Sequence, residues 1–246
     1  EGVNDLSINP DLVGVKSGVT TLVDAGSAGS YTFGGFPKYI VPQAKSRVFC
    51  MLNIARTKDF EPEISNREDI DLEHTVKVIL ANKPLIQGVK LRAIGPGATN
   101  LGIELVRLAK RAATAGGVSL MIHIGETNPG TWAVLTRELL PLMEPGDILT
   151  HLFCDLPGRI LDENGKVIPE LLDAQERGVF LDTAHGRDMF SFAVARRALD
   201  QGVRPNSIST DVTLSGRQTA FISMTEMLSR FLALGFSLED VIRMTT

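Results

Sequence analysis

The sequence predicts an α/β protein built as a (β/α)8 TIM barrel. Helix and strand patterns alternate along its 246 residues. The strands are short and almost continuously apolar, which is typical of parallel strands covered on both faces by helices. We count seven such strands, whereas a complete barrel has eight in a chain of typically ~250 residues. The shortfall lies at the amino end, so we expect a first strand just upstream of Glu1.

Seven apolar runs bounded by polar, glycine or proline residues predict the strands. They are residues 20–26, 47–55, 88–92, 119–125, 147–152, 179–184 and 207–212. A doubly wound open sheet is the alternative fold. It is disfavoured because no G-x-G-x-x-G phosphate loop follows the first run.

Helices are predicted between these strands from apolar spacing and capping residues. Asn9 and Pro10 begin a short first helix, and the later helices cover residues 72–81, 103–116, 129–143, 169–178, 188–202, 219–233 and 237–244. The Gly/Pro stretch 94–98 is predicted to be a loop.

Composition excludes several function classes. The net charge is -4 and no basic run is present, so neither nucleic acid nor an anionic membrane is an expected partner. No apolar run is long enough to span a bilayer. Cys50 and Cys154 lie far apart in apolar surroundings, which favours reduced thiols in a cytoplasmic protein.

We interpret residues 1–246 as a single barrel domain. The chain has no initiator methionine and opens on a loop-like stretch, so we expect it to be an internal segment of a longer protein. We also expect a homo-oligomer that acts on a small-molecule substrate.

Polar residues stand at the ends of most predicted strands. They are Asp24, Asn53, Lys90, His123, His151, His185 just past its strand, and Asp211. Active sites of such barrels lie at the carboxyl ends of the strands. Three of the four histidines of the chain belong to this set, and the fourth, His74, is expected at the surface.

Each of these residues also has a structural interpretation. A single histidine at a strand end is often hydrogen-bonded to a backbone carbonyl. Asp211 could cap the following helix, and for Asp24 we favour an Asx turn. His123 and His151 on consecutive strands, together with Asp211, nevertheless favour a metal site.

Lys90 ends an apolar run, where an isolated buried amine is unfavourable. It could extend its ammonium into solvent. Alternatively, a neutral amine in a pocket could add carbon dioxide and become a carbamate. That group is a carboxylate on a long arm, and it could bridge two divalent cations about 3.5–4 Å apart.

The segments GVTTLVDAGSAG, GVKLR, MIHIGE, LTHLF, LDTAHG and STDV, in this order, resemble the amidohydrolase superfamily. The similarity is strongest to the amidohydrolase/deacetylase metallohydrolases related to dihydroorotase. The resemblance implies two zinc ions bridged by a carboxylated Lys90, with His123 and His151 as ligands of the second ion. It implies that Asp211 binds the first ion and moves the proton, and that His185 contacts substrate.

Two parts of the family pattern lie outside the sequence given. The H-x-H pair of the first strand would fall just before Glu1, and the small β-sandwich domain built from both termini is absent. We attribute both to truncation.

The resemblance implies hydrolysis of an amide or acyl ester by a metal-bridging hydroxide. The expected reaction is deacetylation of an N-acetyl amino acid or a related acylated acid. Cyclic-amide hydrolysis of the dihydroorotase or hydantoinase kind is one alternative. A non-catalytic scaffold is another, but it predicts loss of the metal ligands, and Lys90, His123, His151 and Asp211 are all present. A metal-free phosphate-binding barrel would need a glycine-rich loop after its last strands.

Overall fold

Six parallel strands form one sheet in which each strand lies beside the next one along the chain. The computed structural model describes residues 7–58, 62–128, 130–186, 188–219 and 223–246. A parallel sheet in sequential order requires a crossover after every strand, and this is the order of a barrel wall. The doubly wound alternative is wrong, because its strand order reverses within the sheet.

The elements follow the predicted alternation. The strands are β1 (Thr21–Gly29), β2 (Arg47–Asn53), β3 (Ile86–Arg92), β4 (Ser119–His123), β5 (Ile148–Thr150) and β6 (Phe180–Leu181). The helices are α1 (Pro10–Val13), α2 (Leu72–Ala81), α3 (Gly95–Leu101), α4 (Ile103–Gly116), α5 (Thr136–Leu139), α6 (Pro169–Arg177), α7 (Phe192–Asp200), α8 (Leu214–Thr219), α9 (Met224–Ala233) and α10 (Leu238–Arg243).

The seventh predicted strand, residues 207–212, lies in the expected place but does not form a regular strand. One parallel bridge joins Asp182 to Ser207, and the amide of Gly186 donates to the carbonyl of Thr210. The hydroxyls of Ser207 and Ser209 donate to the carboxylate of Asp182. The segment makes only one bridge to residues 180–184, and the left-handed backbone of Asp211 (φ 47°) does not continue an extended strand.

Several helix predictions are corrected. The predicted helix 188–202 begins only at Phe192, after the capping Ser191, and the predicted helix 219–233 is interrupted at Ser223. Residues 130–135 are not helical, and only α5 and a following 3-10 turn occur in the predicted 129–143 helix; Pro129 lies outside the described residues. Gly130 has φ 79°, which a right-handed helix does not accommodate. Conversely, the predicted loop 94–98 begins α3, with Pro96 in the first turn, where its missing N–H costs nothing.

The core lies between the sheet and its covering helices. The buried face of α4 consists of leucine, valine and alanine residues at helical spacing. Gly117 follows the helix in the left-handed conformation and ends it. Leu52 and Leu91, in the middle strands, are fully buried, whereas Val23 on β1 is 49% exposed. None of the described helices is long and apolar enough to cross a membrane.

Candidate metal centre

The carboxyl ends of β2, β3 and β4 lie side by side. Strand register places Asn53 opposite Lys90 and Arg92 opposite His123. Since successive side chains of a strand point to opposite faces, Lys90 and Arg92 share one face of β3. The predicted residues of these strands therefore meet at one end of the sheet.

Lys90 is only 5% exposed, so its amine does not reach bulk solvent. Burial lowers its pKa, although Asp211 and Asp182 oppose that change by favouring the charged form. The backbone of β1 passes directly beside it, because a Cβ added to Gly26 would lie 2.7 Å from Lys90 Cβ. A neutral amine in such a position is the form that can add carbon dioxide.

His151 follows β5 and is fully buried. Its Nδ1 lies 3.0 Å from the carbonyl oxygen of Ala184, which assigns the proton to Nδ1 and leaves the lone pair on Nε2. Burial, and next the charge of Lys90, lower its pKa to about 3. The neutral Nε2 faces Asp211 Oδ2 at 3.8 Å.

His123 ends β4 against His151, with ring centroids 4.2 Å apart. Its Nε2 is buried and has no hydrogen-bond partner among the described residues. Burial, the neighbouring His151 and Arg92 all lower its pKa well below the usual value. Two neutral imidazoles therefore lie edge to face at the strand ends.

Asp211 has a left-handed backbone (φ 47°), and Gly186 leaves room for its carboxylate, since a Cβ there would lie 3.1 Å from Oδ2. The side chain is 37% exposed. The protein packed around it nevertheless raises its pKa by desolvation, against the effect of Lys90 and Arg92. A carboxyl group with a raised pKa suits proton transfer near neutral pH.

The donor chemistry of this cluster fits a divalent cation. Nε2 of His151 and a carboxylate oxygen of Asp211 are both acceptors, yet they face each other, and the buried Nε2 of His123 lies beside them. Imidazole and carboxylate are zinc ligands. Among the described residues, no three His, Cys, Asp or Glu side chains form such a site by themselves, so the fit depends on an anionic group at Lys90.

His185 lies behind this cluster, not at its opening. It is buried, its ring stacks on Phe190 with centroids 4.2 Å apart, and Phe231 makes an edge contact with it at a centroid distance of 6.0 Å. Its Nδ1 lies 3.3 Å from the carbonyl oxygen of Ser209. The substrate contact expected of His185 therefore stays a prediction, and the structural interpretation describes the observed packing.

Asp24 plays the structural role preferred from the sequence. Its carboxylate accepts hydrogen bonds from the amides of Gly26 and Ser27 and from the Ser27 hydroxyl. This Asx turn lies within β1, where the pairing with β2 shifts register between Ala25 and Gly29. Gly26 in that turn is the residue that lets the backbone pass beside Lys90.

Sequence reasoning missed Asp182, a buried carboxylate beneath the metal-ligand candidates. It accepts hydrogen bonds from Thr150, Ser207 and Ser209. Strand alternation within 179–184 places Asp182 on the same face as residues 180 and 184. It gives no sign of the three hydroxyl partners of Asp182, which come from other segments of the chain.

Two buried carboxylates above the strand ends were also missed. Glu63, in the loop after β2, contacts Lys58 and Arg92 and accepts from the Asn53 amide. Glu126 ends the quoted MIHIGE segment and is 2% exposed. Arg92 stands two residues after Lys90 on the same strand, and this spacing could have predicted that its side chain lies in the site. Glu63 lies in a long charged stretch, where no spacing pattern indicates a site residue.

Known proteins resemble this chain in sequence and in fold. No protein-family model matches the chain. A curated relative from Brucella anthropi, named deacetylase, is 34% identical in an alignment of 249 positions that covers 100% of this chain and 61% of the relative. The chain spans about three fifths of the length of the curated relatives it matches.

Two solved structures are similar at the level of both fold and sequence. One, described as an adenine deaminase, has a TM-score of 0.91 and 31% identity over 98% of this chain and 65% of its own. The other, described as a dihydroorotase, has a TM-score of 0.88 and 34% identity over 100% of this chain and 64% of its own. The chain thus has the fold of the amidohydrolase TIM-barrel enzymes. It belongs to the amidohydrolase superfamily, and curated relatives within it are named deacetylases.

Proposed function

We propose that this protein is a metal-dependent hydrolase that cleaves an amide or acyl ester, with an N-acetyl amino acid or a related acylated acid as substrate. The names of its curated relatives support deacetylation. The observation that carries the proposal is the cluster of acceptors at the strand ends. There the neutral Nε2 of His151 faces the carboxylate of Asp211 beside the buried Nε2 of His123.

Two divalent cations, which we assign as zinc, would be held by His123, His151, Asp211 and a carbamate on Lys90. His123 and His151 would hold one cation, and Asp211 would bind the other. Cations bound there lower the pKa of water and polarise a carbonyl oxygen. Burial lowers the pKa of the Lys90 amine, and this direction supports carbamate formation, because the neutral amine is the form that adds carbon dioxide.

The residues of this chain orient the reaction and move the proton. The Ala184 carbonyl holds the His151 ring in one tautomer and one orientation. Asp211 accepts the proton released as water oxygen bonds to the substrate carbonyl carbon. It then delivers that proton to the leaving nitrogen or oxygen as the acyl bond breaks.

Lys90→Ala tests the proposal directly. The variant should lose bound metal and amide hydrolysis together, and short carboxylic acids supplied with zinc should restore part of both, because they replace the missing bridging anion. Lys38→Ala, at an exposed lysine, is the control. Metal content measured by mass spectrometry and found unchanged in Lys90→Ala would contradict the carbamate.

Cyclic-amide hydrolysis is the second candidate. It is favoured by the 34% identity to the structure described as a dihydroorotase, and the same residues would serve it. A panel of N-acetyl amino acids, dihydroorotate and hydantoins separates the two reactions by which substrate gives the higher kcat/KM.

We further propose a cytoplasmic location and a homo-oligomeric state. Cys50 and Cys154 are both buried and neither forms a disulfide. Burial raises the pKa of the Cys154 thiol to about 11, which keeps it protonated and unreactive. These features suit a reducing compartment.

A further inference from the structure

A cavity of about 270 Å³ opens beside the candidate metal centre, between the loops that follow β2, β3 and β4. Arg92 lies in its wall and is paired in register with His123. A molecule whose reacting group lies at His123 would therefore extend into this cavity.

The walls of this cavity are held in place by Glu126. Its two carboxylate oxygens accept hydrogen bonds from the amide of Gly95, at 2.7 Å, and from the amide of Asn128, at 2.8 Å. Its own amide donates to the carbonyl of Pro157 at 2.8 Å. One buried residue thus ties together the loops after β3, β4 and β5, so the cavity is formed before any ligand arrives.

The carboxylates in the wall are already engaged. Glu126 is bonded to backbone amides, and Glu63 contacts Lys58 and Arg92 and accepts from Asn53. A cationic ligand group would have to displace one of these partners. The rest of the wall includes the polar residues Thr127 and Asn128. It also includes Ile64, Ile94 and the half-buried indole of Trp132, and these apolar surfaces favour an apolar group.

The size of the cavity indicates which half of the substrate it holds. A cavity of about 150 Å³ is enough for benzene, so about 270 Å³ has room for a ring-sized group. An acetyl group is far smaller. We propose that this cavity binds an apolar, ring-sized side group on the amine half of the substrate, with Trp132 as its aromatic wall. The assignment rests on the proposed function.

The test compares substrates that carry the ring on opposite sides of the scissile bond. N-acetylphenylalanine carries it on the amine half, N-benzoylglycine carries it on the acyl half, and N-acetylglycine lacks it. The wild-type protein should prefer N-acetylphenylalanine by about tenfold to a hundredfold in kcat/KM over N-acetylglycine. N-benzoylglycine should gain no such preference.

Trp132→Ala should remove most of that preference, measured as the ratio of kcat/KM for N-acetylphenylalanine to kcat/KM for N-acetylglycine. Trp132→Phe should keep part of it and shift selectivity toward the larger N-acetyltryptophan, because the cavity becomes wider. This second variant carries the test if Trp132→Ala does not fold. Tyr39→Ala is the matched control, because Tyr39 is an exposed aromatic residue (55%) outside the cavity wall.

The measured kcat/KM values distinguish a failure of the cavity assignment from a failure of the proposed function. Turnover of N-acetylglycine without any gain for N-acetylphenylalanine overturns the cavity assignment and leaves the hydrolase intact. A gain for N-benzoylglycine instead, or an equal loss on all substrates in both Trp132 variants, also overturns it. If no N-acetyl amino acid is hydrolysed, the proposed substrate class fails and the cavity assignment falls with it.

Discussion

His151 and Asp211 are the two non-glycine residues with positive φ among the described part of the chain, at 68° and 47°. Such conformations cost on the order of 1–3 kcal/mol and persist only where the surrounding structure enforces them. Here Ala184 holds the His151 ring and Gly186 leaves space for the Asp211 carboxylate. Both residues belong to the proposed centre, so the strain lies where His151 Nε2 and the Asp211 carboxylate are brought face to face.

Asp211→Asn should lower kcat by about 10²–10⁴-fold, because the amide cannot accept and return the proton. Folding should be preserved. The pKa of Asp211 is raised in the folded protein, chiefly by burial, so its ionised form opposes folding at neutral pH and an uncharged amide does not. The measurement is kcat together with a thermal unfolding curve.

Asp155→Asn is the control for this change, because Asp155 is an exposed carboxylate paired with Arg159 in the loop after β5. It should leave kcat unaltered. Wild-type turnover in Asp211→Asn would remove Asp211 from proton transfer.

Gly26→Ala should displace the side chain of Lys90, because Gly26 on β1 packs directly against it. Gly26 has φ 93°, and an added Cβ would lie 2.7 Å from Lys90 Cβ. We expect a loss of about 1–3 kcal/mol in the free energy of unfolding and a lower metal content. Gly34→Ala is the matched control, since nothing lies within 4 Å of a Cβ there. Equal metal content in both variants would show that Gly26 does not determine the position of Lys90.

At the scale of single elements, local signals explain most of what the sequence predicted. α2 and α4 have the predicted bounds, because Asp71 caps one and Gly117 ends the other. The predicted helix 129–143 fails at its start because Asn128 and Trp132 lie in a cavity wall in which Glu126 accepts a hydrogen bond from the Asn128 amide. That constraint comes from contacts with the loops after β3 and β5, which no local pattern contains.

Glu63 connects the loop after β2 to β3, and its removal should weaken folding in a pH-dependent way. Burial raises its pKa, but Arg92 and Lys58 outweigh that effect, and the pKa stays below its usual 4.5. Because the folded-state pKa is lowered, the ionised carboxylate stabilises the fold above about pH 4.5. That contribution is lost as the pH falls through the folded-state pKa.

Glu63→Gln should therefore lower the free energy of unfolding by on the order of 1–3 kcal/mol at pH 7, and the gap from wild type should narrow in acid. Urea unfolding at several pH values measures both. Glu239→Gln removes an exposed ion-pair partner and should change stability little. If the difference in free energy of unfolding between Glu63→Gln and the wild type does not change with pH, the charge of Glu63 is not what stabilises the loop.

At the scale of the whole molecule, sheet order determines the site. Because the strands are parallel and in sequential order, their carboxyl ends all lie at one end of the sheet. Titratable residues at those carboxyl ends could therefore be predicted to meet. Lys90, His123, His151 and Asp211 follow from that rule. Glu63, Glu126 and Asp182 do not, because their roles depend on partners from distant loops and strands.

The most direct test of the central claim is an anomalous difference map, recorded at the zinc absorption edge from crystals of the purified protein. Two zinc ions at this site would give two peaks about 3.5–4 Å apart. One should lie about 2.0–2.1 Å from Nε2 of His123 and of His151, the other at the Asp211 carboxylate, and continuous carbamate density on Lys90 should join them. A map without peaks at these atoms, with Lys90 ending in an unmodified amine, would contradict it.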